Sequence, residues 1–280
     1  MDPVFWREES ELGTWTQAVC RPGALAGLVQ SVWLFDGKLE QRQRLYPTGE
    51  LDLIVQLDAP FRVVEGQPAG ACPASCLTGM LVAPLVIDTP AKSRLLGVRL
   101  RPAGAFALFG VPQYELTGAA VDLHDIIGSE ARRLAEQLDE AGSDVERMRL
   151  LVRWITQRLA DHTTTDPAVA YAVAEIESTG GKLPIGKIVE RVGASPKRFT
   201  SLFEQQVGVK PKLFSRIIRF RELAAALPAA PDPLSETALK HGYYDHAHMN
   251  LEFREFAGMS PSQFRTATPY PESLAQALAD

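Results

Sequence analysis

The pattern of hydrophobic positions changes after residue 104 of the 280-residue chain. Before that point, short runs are rich in β-branched and aromatic residues, and the clearest of them alternates apolar and polar positions after Gly97. Such runs, separated by loops that contain Gly and Pro, predict short strands and hence a small sheet or barrel. The predicted strands cover residues 25–35, 51–57, 61–65 and 93–101, with one or two more in residues 76–87, after an irregular lead-in over residues 1–24.

From residue 105 onward, apolar residues recur at the spacing of three and four that is typical of amphipathic helices. A long apolar stripe follows Asp144, and it either packs on its own domain or forms a dimer contact or an interdomain spacer. The stripe consists of Met148, Leu151, Val152, Ile155 and Leu159.

Together these patterns predict an α+β fold with two domains. An N-terminal β-rich, barrel-like domain with trailing helices is expected over residues 1–162. A C-terminal all-α domain with two helix-turn-helix units joined by a long helix is expected over residues 166–268, followed by a tail over residues 269–280.

The all-α part repeats one order of signals in residues 183–207 and 234–265. In each segment a Gly ends a short helix, a capping residue starts a second helix with aromatic residues on one face, and another Gly ends that helix. Ser195 and Asp245 are the caps of the second helices, and Ser235 is expected to cap the first helix of the second unit. Single units of this kind occur in many helical bundles, so the pair is the more specific signal.

A further set of residues in both units and in the helix between them has a specific order. These residues are Ala194 to Phe199, Phe203, Gly208, Pro211, Arg221, Ala225, Leu227, Ala238, Gly242, Tyr243, Asp245, Phe253, Gly258, Ser260, Pro261, Phe264 and Arg265. In them the sequence resembles the AraC/XylS family of transcription regulators. The resemblance implies two recognition helices, over about residues 196–207 and 246–256, which enter successive major grooves of double-stranded DNA.

Carried over by position, the resemblance also implies which side chains contact DNA. Asn250 is suited to adenine and Lys197 to guanine, and Arg198 is expected close to a phosphate. Leu251 is apolar where many family members carry a polar residue, so its best contact is a thymine methyl group. The full set is Lys197, Arg198, Thr200, Ser201, His246, Ala247, Asn250, Leu251 and Arg254.

The net charge of −5 would by itself argue against a nucleic-acid partner. Its distribution is uneven, because residues 177–268 contain 13 basic and 9 acidic side chains, while the remainder carries a net charge of −9. The C-terminal part is thus mildly basic. This weak basic signal predicts few phosphate contacts for each copy of the protein.

The β-rich part looks like a sensor-like domain found ahead of some AraC-type modules, on residues 32–35, 45–57 and 97–123. Its ligand is not defined by the resemblance. Arg99, Arg101 and Tyr114 are the first candidates for binding a polar or anionic small molecule, and ordinary strand-end pairing is the alternative. A small-molecule effector, a homodimer and, for an activator, RNA polymerase are left open as partners.

Common enzyme motifs do not occur in the sequence, which contains no Walker loop and no HExxH, GxSxG or GxGxxG pattern. His124 is the only histidine before residue 160, so a metal site among the strands is not expected. His246 and His248 are two residues apart on a predicted helix and do not share a face. We therefore expect no enzyme activity, no cofactor and no metal.

The three cysteines, Cys20, Cys72 and Cys76, suggest free thiols in a reducing compartment. They also leave an alternative open, in which the protein binds a small molecule or repairs DNA through a cysteine and the helix-turn-helix part is accessory. The first residues lack a signal-peptide core, and no apolar run reaches the ~20 residues that a membrane span needs. A cytoplasmic location is expected.

Overall fold

Two antiparallel sheets form the N-terminal part in the computed structural model, which describes residues 3–10, 13–21, 23–39, 42–90, 92–160, 165–229 and 233–266. The larger sheet has the strand order β1-β2-β3-β10-β5-β8-β11, and the smaller has the order β4-β9-β6-β7. The strands are β1 (Val4–Ser10), β2 (Gly13–Cys20), β3 (Val29–Leu39), β4 (Gln43–Leu45), β5 (Leu51–Gln56), β6 (Arg62–Glu65), β7 (Gly70–Ala71), β8 (Ser75–Thr78), β9 (Leu85–Asp88), β10 (Ser93–Leu100) and β11 (Ala120–Asp122). Over these residues the sheets do not close into a barrel.

The expected irregular lead-in is wrong, because β1 and β2 occupy most of it. They form a hairpin whose register pairs Val4 with Val19 and Ser10 with Gly13, and β2 also pairs with β3. Trp15, Ala18 and Val19 are buried in this arrangement. Polar Thr and Gln residues between them hide the apolar alternation, and pairing with β3 decides the conformation. The strand expected over residues 25–35 begins only at Val29 and continues to Leu39.

The alternation of side chains along β3 separates two hydrophobic clusters. Trp33 and Phe35 point to a small cluster that also contains Trp15, Ile54 and Phe61. Val32 and Leu34 point to the opposite face of the sheet, where the second cluster begins, as expected for successive residues of a strand. This second cluster continues without a break into the helices.

In the described residues of the N-terminal part, four helices contribute buried side chains to this second cluster: α1 (Gly104–Phe109), α2 (Leu123–Ile127), α3 (Ser129–Glu140) and α4 (Asp144–Ala160). The stripe on α4 is turned inward, with Met148, Leu151 and Ile155 fully buried. Packing on its own domain, rather than a dimer contact, is therefore the role of these three side chains.

Over the residues that the structure describes, seven further helices form the C-terminal part. They are α5 (Pro167–Ser178), α6 (Ile185–Val192), α7 (Pro196–Val207), α8 (Pro211–Ala226), α9 (Leu234–Lys240), α10 (His246–Ala257) and α11 (Pro261–Thr266). The expected all-α architecture is confirmed, and α8 is the long helix between the two units. The expected cap at Ser235 is wrong, because α9 starts one residue earlier and Pro233 occupies its cap position without a side-chain hydrogen bond. The expected tail lies outside the described residues.

Over the residues described, none of the helices combines the length and the hydropathy that spanning a bilayer requires.

Candidate nucleic-acid interface and the adjoining cavity

The first helix-turn-helix unit consists of α6 and α7 joined at Gly193. Gly193 has a φ of +65°, in the left-handed region that favours glycine. The Ser195 hydroxyl oxygen accepts the backbone N–H of Arg198 and caps α7, and Pro196 occupies its first turn. These local signals are the ones that predicted the unit from the sequence.

Helix α7 buries one face and exposes the other. Phe199 and Phe203 are buried, while Lys197, Arg198 and Ser201 are exposed. Within the described chain, the side chains of Lys197 and Arg198 make no hydrogen bond or ion pair, so their charges are available to a partner. Thr200 is half-buried and its hydroxyl donates to the carbonyl oxygen of Pro196 at 2.8 Å, which leaves the oxygen free to accept.

The second unit consists of α9 and α10, and Asp245 caps α10 by accepting the backbone N–H of His248 at 2.7 Å. The exposed face of α10 carries His246, Ala247, Arg254 and Leu251, the last with 73% of its surface exposed. An apolar side chain so exposed gains by covering another apolar group such as a methyl.

Asn250 and His246 lie side by side on this face. The Asn250 side-chain nitrogen is 3.0 Å from His246 Nε2, which fits the histidine tautomer in which Nε2 accepts the hydrogen bond. One amide N–H and the amide oxygen of Asn250 then remain for a further contact. These two groups form the donor and acceptor pair that adenine requires.

His248 is engaged within the protein. Its Nδ1 lies 3.4 Å from the backbone N–H of Tyr244, and its Nε2 lies 4.0 Å from the buried carboxylate of Glu252. These contacts support the interpretation of His248 as a structural residue of α10.

Helix α8 holds both units through aromatic contacts at two positions. Near its start, the Phe214 ring lies 5.8 Å from that of Phe203 on α7. Farther along, the Phe220 ring lies 5.0 Å from Phe253 and 5.4 Å from Phe256 on α10. Because one continuous helix carries both contacts, the two exposed faces are held in a fixed relation.

A buried ion pair between α8 and α10 adds to this connection. The Arg216 Nε lies 2.7 Å from a carboxylate oxygen of Glu252, which is only 3% exposed. Arg216 also lies over the Phe256 ring, with 5.0 Å between its guanidinium carbon and the ring centre. Sequence reasoning missed this pair, because nothing near either residue along the chain indicates its partner on another helix.

The N-terminal part packs directly on α8. Arg221 donates to the carbonyl oxygen of Thr48 at 3.2 Å, and the Tyr46 ring lies 5.5 Å from Phe264. Gly49, with a φ of +85°, approaches α8 so closely that a Cβ would lie 2.8 Å from the Ile218 Cδ1. The turn at residues 47–49 is thus part of the contact between the two parts of the chain.

A second contact joins the end of α7 to the N-terminal part. The Thr117 hydroxyl donates to the carbonyl oxygen of Gly208 at 2.7 Å. Gly208 has a φ of +98° and lies against the short 3-10 helix Gln113–Glu115, where a Cβ would be 3.1 Å from the Gln113 carbonyl oxygen. The two contacts place the N-terminal part against both α8, the linker helix between the two units, and the end of α7.

A cavity of about 190 Å³ lies between the two sheets of the N-terminal part. Its wall is largely apolar, with contributions from Ile54, Phe61 and Leu85. Tyr46 and Thr48, which also contact the C-terminal helices, belong to the wall. The cavity and the interface between the parts therefore share a segment of chain.

Comparison with known proteins separates the chain into the same two parts. Residues 188–267 match the family model described as a helix-turn-helix domain. The C-terminal part is a helix-turn-helix domain of the AraC type. Residues 21–122 match a domain of unknown function, DUF6597.

Curated relatives of the AraC-type domain are also regulators by name. The chain is similar to the HTH-type transcriptional regulator MtrA of Neisseria gonorrhoeae, with 28% identity over 126 residues, 45% of this chain and 39% of the relative. It is also similar to the HTH-type transcriptional regulator Rv1931c of Mycobacterium tuberculosis, with 31% identity over 88 residues, 31% of this chain and 34% of the relative. The chain thus spans less than half the length of these relatives.

The similarities to solved structures are more distant. ToxT of Vibrio cholerae shares 9% identity, with coverage of 84% of this chain and 97% of that one and a TM-score of 0.44. The C-terminal domain of AraT, a response regulator from Geobacillus stearothermophilus, shares 23% identity, with coverage of 39% and 93% and a TM-score of 0.35.

The three candidate ligand residues outside the AraC-type domain lie in different surroundings. Arg99 on β10 is 2% exposed and pairs with carboxylates. Arg101 follows β10 and donates to the carbonyl oxygen of Ala26 at 2.7 Å. Tyr114 is half-exposed on the 3-10 helix beside α7. None of the three is among the residues that line the cavity.

The cysteines ahead of the AraC-type domain are buried and unbridged. Burial raises the pKa of the Cys72 thiol to about 11. Burial raises the pKa of Cys76 still further, and the nearby Cys72, Asp52 and Asp122 act in the same direction. A thiol acts as a nucleophile in its thiolate form. The surroundings of Cys72 and Cys76 therefore disfavour the alternative of methyl transfer to a cysteine.

Proposed function

We propose that the protein is a sequence-specific DNA-binding transcription regulator. In this proposal α7 and α10 are recognition helices that enter successive major grooves on one face of the duplex. The observation that carries the proposal is that one helix, α8, anchors two similar units, each with an exposed polar face. In the described chain these faces carry unpaired cations, Lys197 and Arg198 on α7 and Arg254 on α10. Two recognition helices can enter successive major grooves only if the distance between them is fixed, and the continuous helix α8 fixes it.

The residues proposed to contact DNA are those named from the family resemblance. Their surroundings support the proposal, since Lys197, Arg198 and Arg254 are exposed and make no ion pair in the described chain. Their charges can meet phosphates or bases without first breaking an internal pair. The full set is Lys197, Arg198, Thr200, Ser201, His246, Ala247, Asn250, Leu251 and Arg254.

We further infer that a small molecule in the cavity modulates DNA binding. Support comes from Tyr46 and Thr48, because both line the cavity and contact the linker helix or its neighbours. A ligand that displaces this segment would change the surface on which the DNA-binding part rests. A cytoplasmic location, a homodimer and contact with RNA polymerase stay predictions.

Selection of binding sites from random DNA tests the main proposal, and an enriched motif with two half-sites about 10 base pairs apart is expected. Asn250→Ala should then weaken binding to that motif by about 1–3 kcal/mol, because one bidentate base contact is lost. Gln157→Ala, which removes an exposed amide on α4, is the matched control and should bind as the parent does.

The three cations proposed to contact DNA, Lys197, Arg198 and Arg254, predict a modest dependence on salt, with a slope of log K against log salt of about −3 for each copy. Arg198→Ala should reduce that slope by about one without changing the selected motif. Failure of the selection to enrich any motif, or equal affinities of the Asn250→Ala and parent proteins, would contradict sequence-specific binding.

A further inference from the structure

The wall of the cavity carries acidic groups and no basic one. Among the lining residues, the only charged side chains are those of Glu50 and Asp52, both reached from β5 and the turn before it. Most of the remaining lining is apolar or backbone. The cavity is therefore not the site for an anionic ligand that the sequence analysis expects at Arg99.

Asp52 is already satisfied by its neighbours. The Arg99 guanidinium lies at 3.0 Å and 3.2 Å from its two carboxylate oxygens, and the indole N–H of Trp33 donates to it at 3.1 Å. Gly97 makes room for this indole, because a Cβ there would lie 2.2 Å from the Trp33 ring. The guanidinium of Arg99 is thus occupied behind the wall.

Glu50 is the carboxylate of the cavity wall that can still accept a hydrogen bond from a ligand. One oxygen lies 3.4 Å from Arg99, and the Glu50 side chain is 15% exposed. Because the Arg99 guanidinium is shared between the carboxylates of Glu50 and Asp52, these three side chains together have a net charge of −1. The next cations around Glu50 are Arg221 and Arg101. Arg221 pairs with Glu177 and Glu222, and Arg101 lies near Glu177.

Burial raises the pKa of Glu50 above its ordinary value, although Arg99 acts in the opposite direction. A carboxylate in this position is undersolvated, and a donor with a positive charge would compensate it. The apolar wall around it would at the same time cover a hydrocarbon body.

We propose that the cavity binds a small organic cation, with an apolar body between the sheets and a protonated amine against Glu50. The proposal rests on the proposed function, since it names the chemical class of the effector. It also gives the effector a place next to the DNA-binding part. The Glu50 backbone N–H lies 3.4 Å from the Thr48 hydroxyl, and the Thr48 carbonyl oxygen accepts from Arg221.

Three probes of one shape separate the ligand classes: phenylbutylamine, phenylbutanol and phenylbutyrate. Titration calorimetry on the full chain near neutral pH should show that the amine binds about tenfold more tightly than the alcohol, and that the carboxylate binds most weakly, as expected for a charge-assisted contact. A carboxylate that binds as well as the amine, or an amine that shows no saturable binding, overturns the proposal.

Two variants locate the charge. Glu50→Gln keeps the shape of the side chain and should abolish the preference for the amine over the alcohol. Glu65→Gln removes an exposed carboxylate of the same domain that is not in the wall, and it should retain the preference. Persistence of the preference in Glu50→Gln also overturns the proposal.

DNA binding is measured separately on the same preparation, without any probe. If site selection enriches no motif while the amine preference depends on Glu50, the regulator function fails and the cation site stands. If a motif is enriched while the probes show no amine preference, the regulator function stands and the ligand class fails.

Discussion

Replacing Arg216 by methionine removes the guanidinium that pairs α8 with Glu252 on α10, the proposed second recognition helix. Glu252 would stay buried without its 2.7 Å partner, and Arg219 would be the nearest remaining cation at 3.8 Å. Loss of one partner of a buried pair costs about 3–5 kcal/mol. The presence of Arg219 and the partial exposure of Arg216 place the expected loss near the lower limit, at about 3 kcal/mol.

A double-mutant cycle isolates the pair from the other contacts of Arg216, which include Glu255 and the Phe256 ring. Glu252→Gln alone leaves Arg216 26% exposed and still paired with Glu255, so a loss of about 1 kcal/mol is expected. The double variant places a neutral amide beside methionine and should lose about 2 kcal/mol, less than the sum of the single losses. The coupling is then about 2 kcal/mol.

Hydrogen exchange over residues 246–257 is the local assay, because it reports the opening free energy of α10 rather than unfolding of the whole chain. In Arg216→Met these amides should exchange faster, and DNA affinity should fall with them. Arg191→Met is the matched control, since Arg191 is 51% exposed in its pair with Glu175 and solvent screens such a pair, so its loss should have little effect on stability. Additive losses in the cycle, or an effect of Arg216→Met no larger than that of Arg191→Met, would refute the reasoning.

Two further predictions concern the N-terminal part. Gly49→Ala should lower the free energy of unfolding by at least about 1–2 kcal/mol in a urea titration, because a left-handed conformation costs an alanine that much. The added Cβ would also lie 2.8 Å from the Ile218 Cδ1. Gly186→Ala is the control, and it should be neutral or slightly stabilising in the same titration, since a Cβ there has no neighbour within 4 Å. Because the pKa of Glu50 is raised by burial, the folded state binds its proton more tightly, so stability should fall as the pH rises from 4.5 through the folded pKa. Urea titrations across pH should show that this fall is smaller in Glu50→Gln, and parallel pH profiles would contradict the assignment.

The helix-turn-helix units could be predicted because their signals are local. The cap at Ser195, the left-handed turn at Gly193 and the aromatic stripe at Phe199 and Phe203 all act within one or two helical turns. Backbone hydrogen bonds at helix ends and the facing of i, i+4 positions depend on near neighbours in the chain. The same reasoning failed at Ser235, where Pro233 already starts the helix.

Strand pairing was harder to predict, because its energy comes from distant residues. The β1–β2 hairpin is held in the sheet by β3, and the polar residues in its sequence give no clear period. Strand preferences depend on the packing of each face, which the sequence of one segment does not reveal. The apolar stripe on α4 shows a related limit of the sequence. The spacing of its apolar residues indicated that one face of the helix is buried, but not which surface would cover that face.

The sequence by itself determined the two helix-turn-helix units, their order and the side chains on their exposed faces. Only the tertiary structure decided which charges are free. It paired Arg216 with Glu252 and Arg99 with Asp52, while it left Lys197 unpaired. The physical reason is that a helix or turn forms from contacts within a few residues, whereas the state of a charge depends on partners brought near from 36 or 47 residues away along the chain.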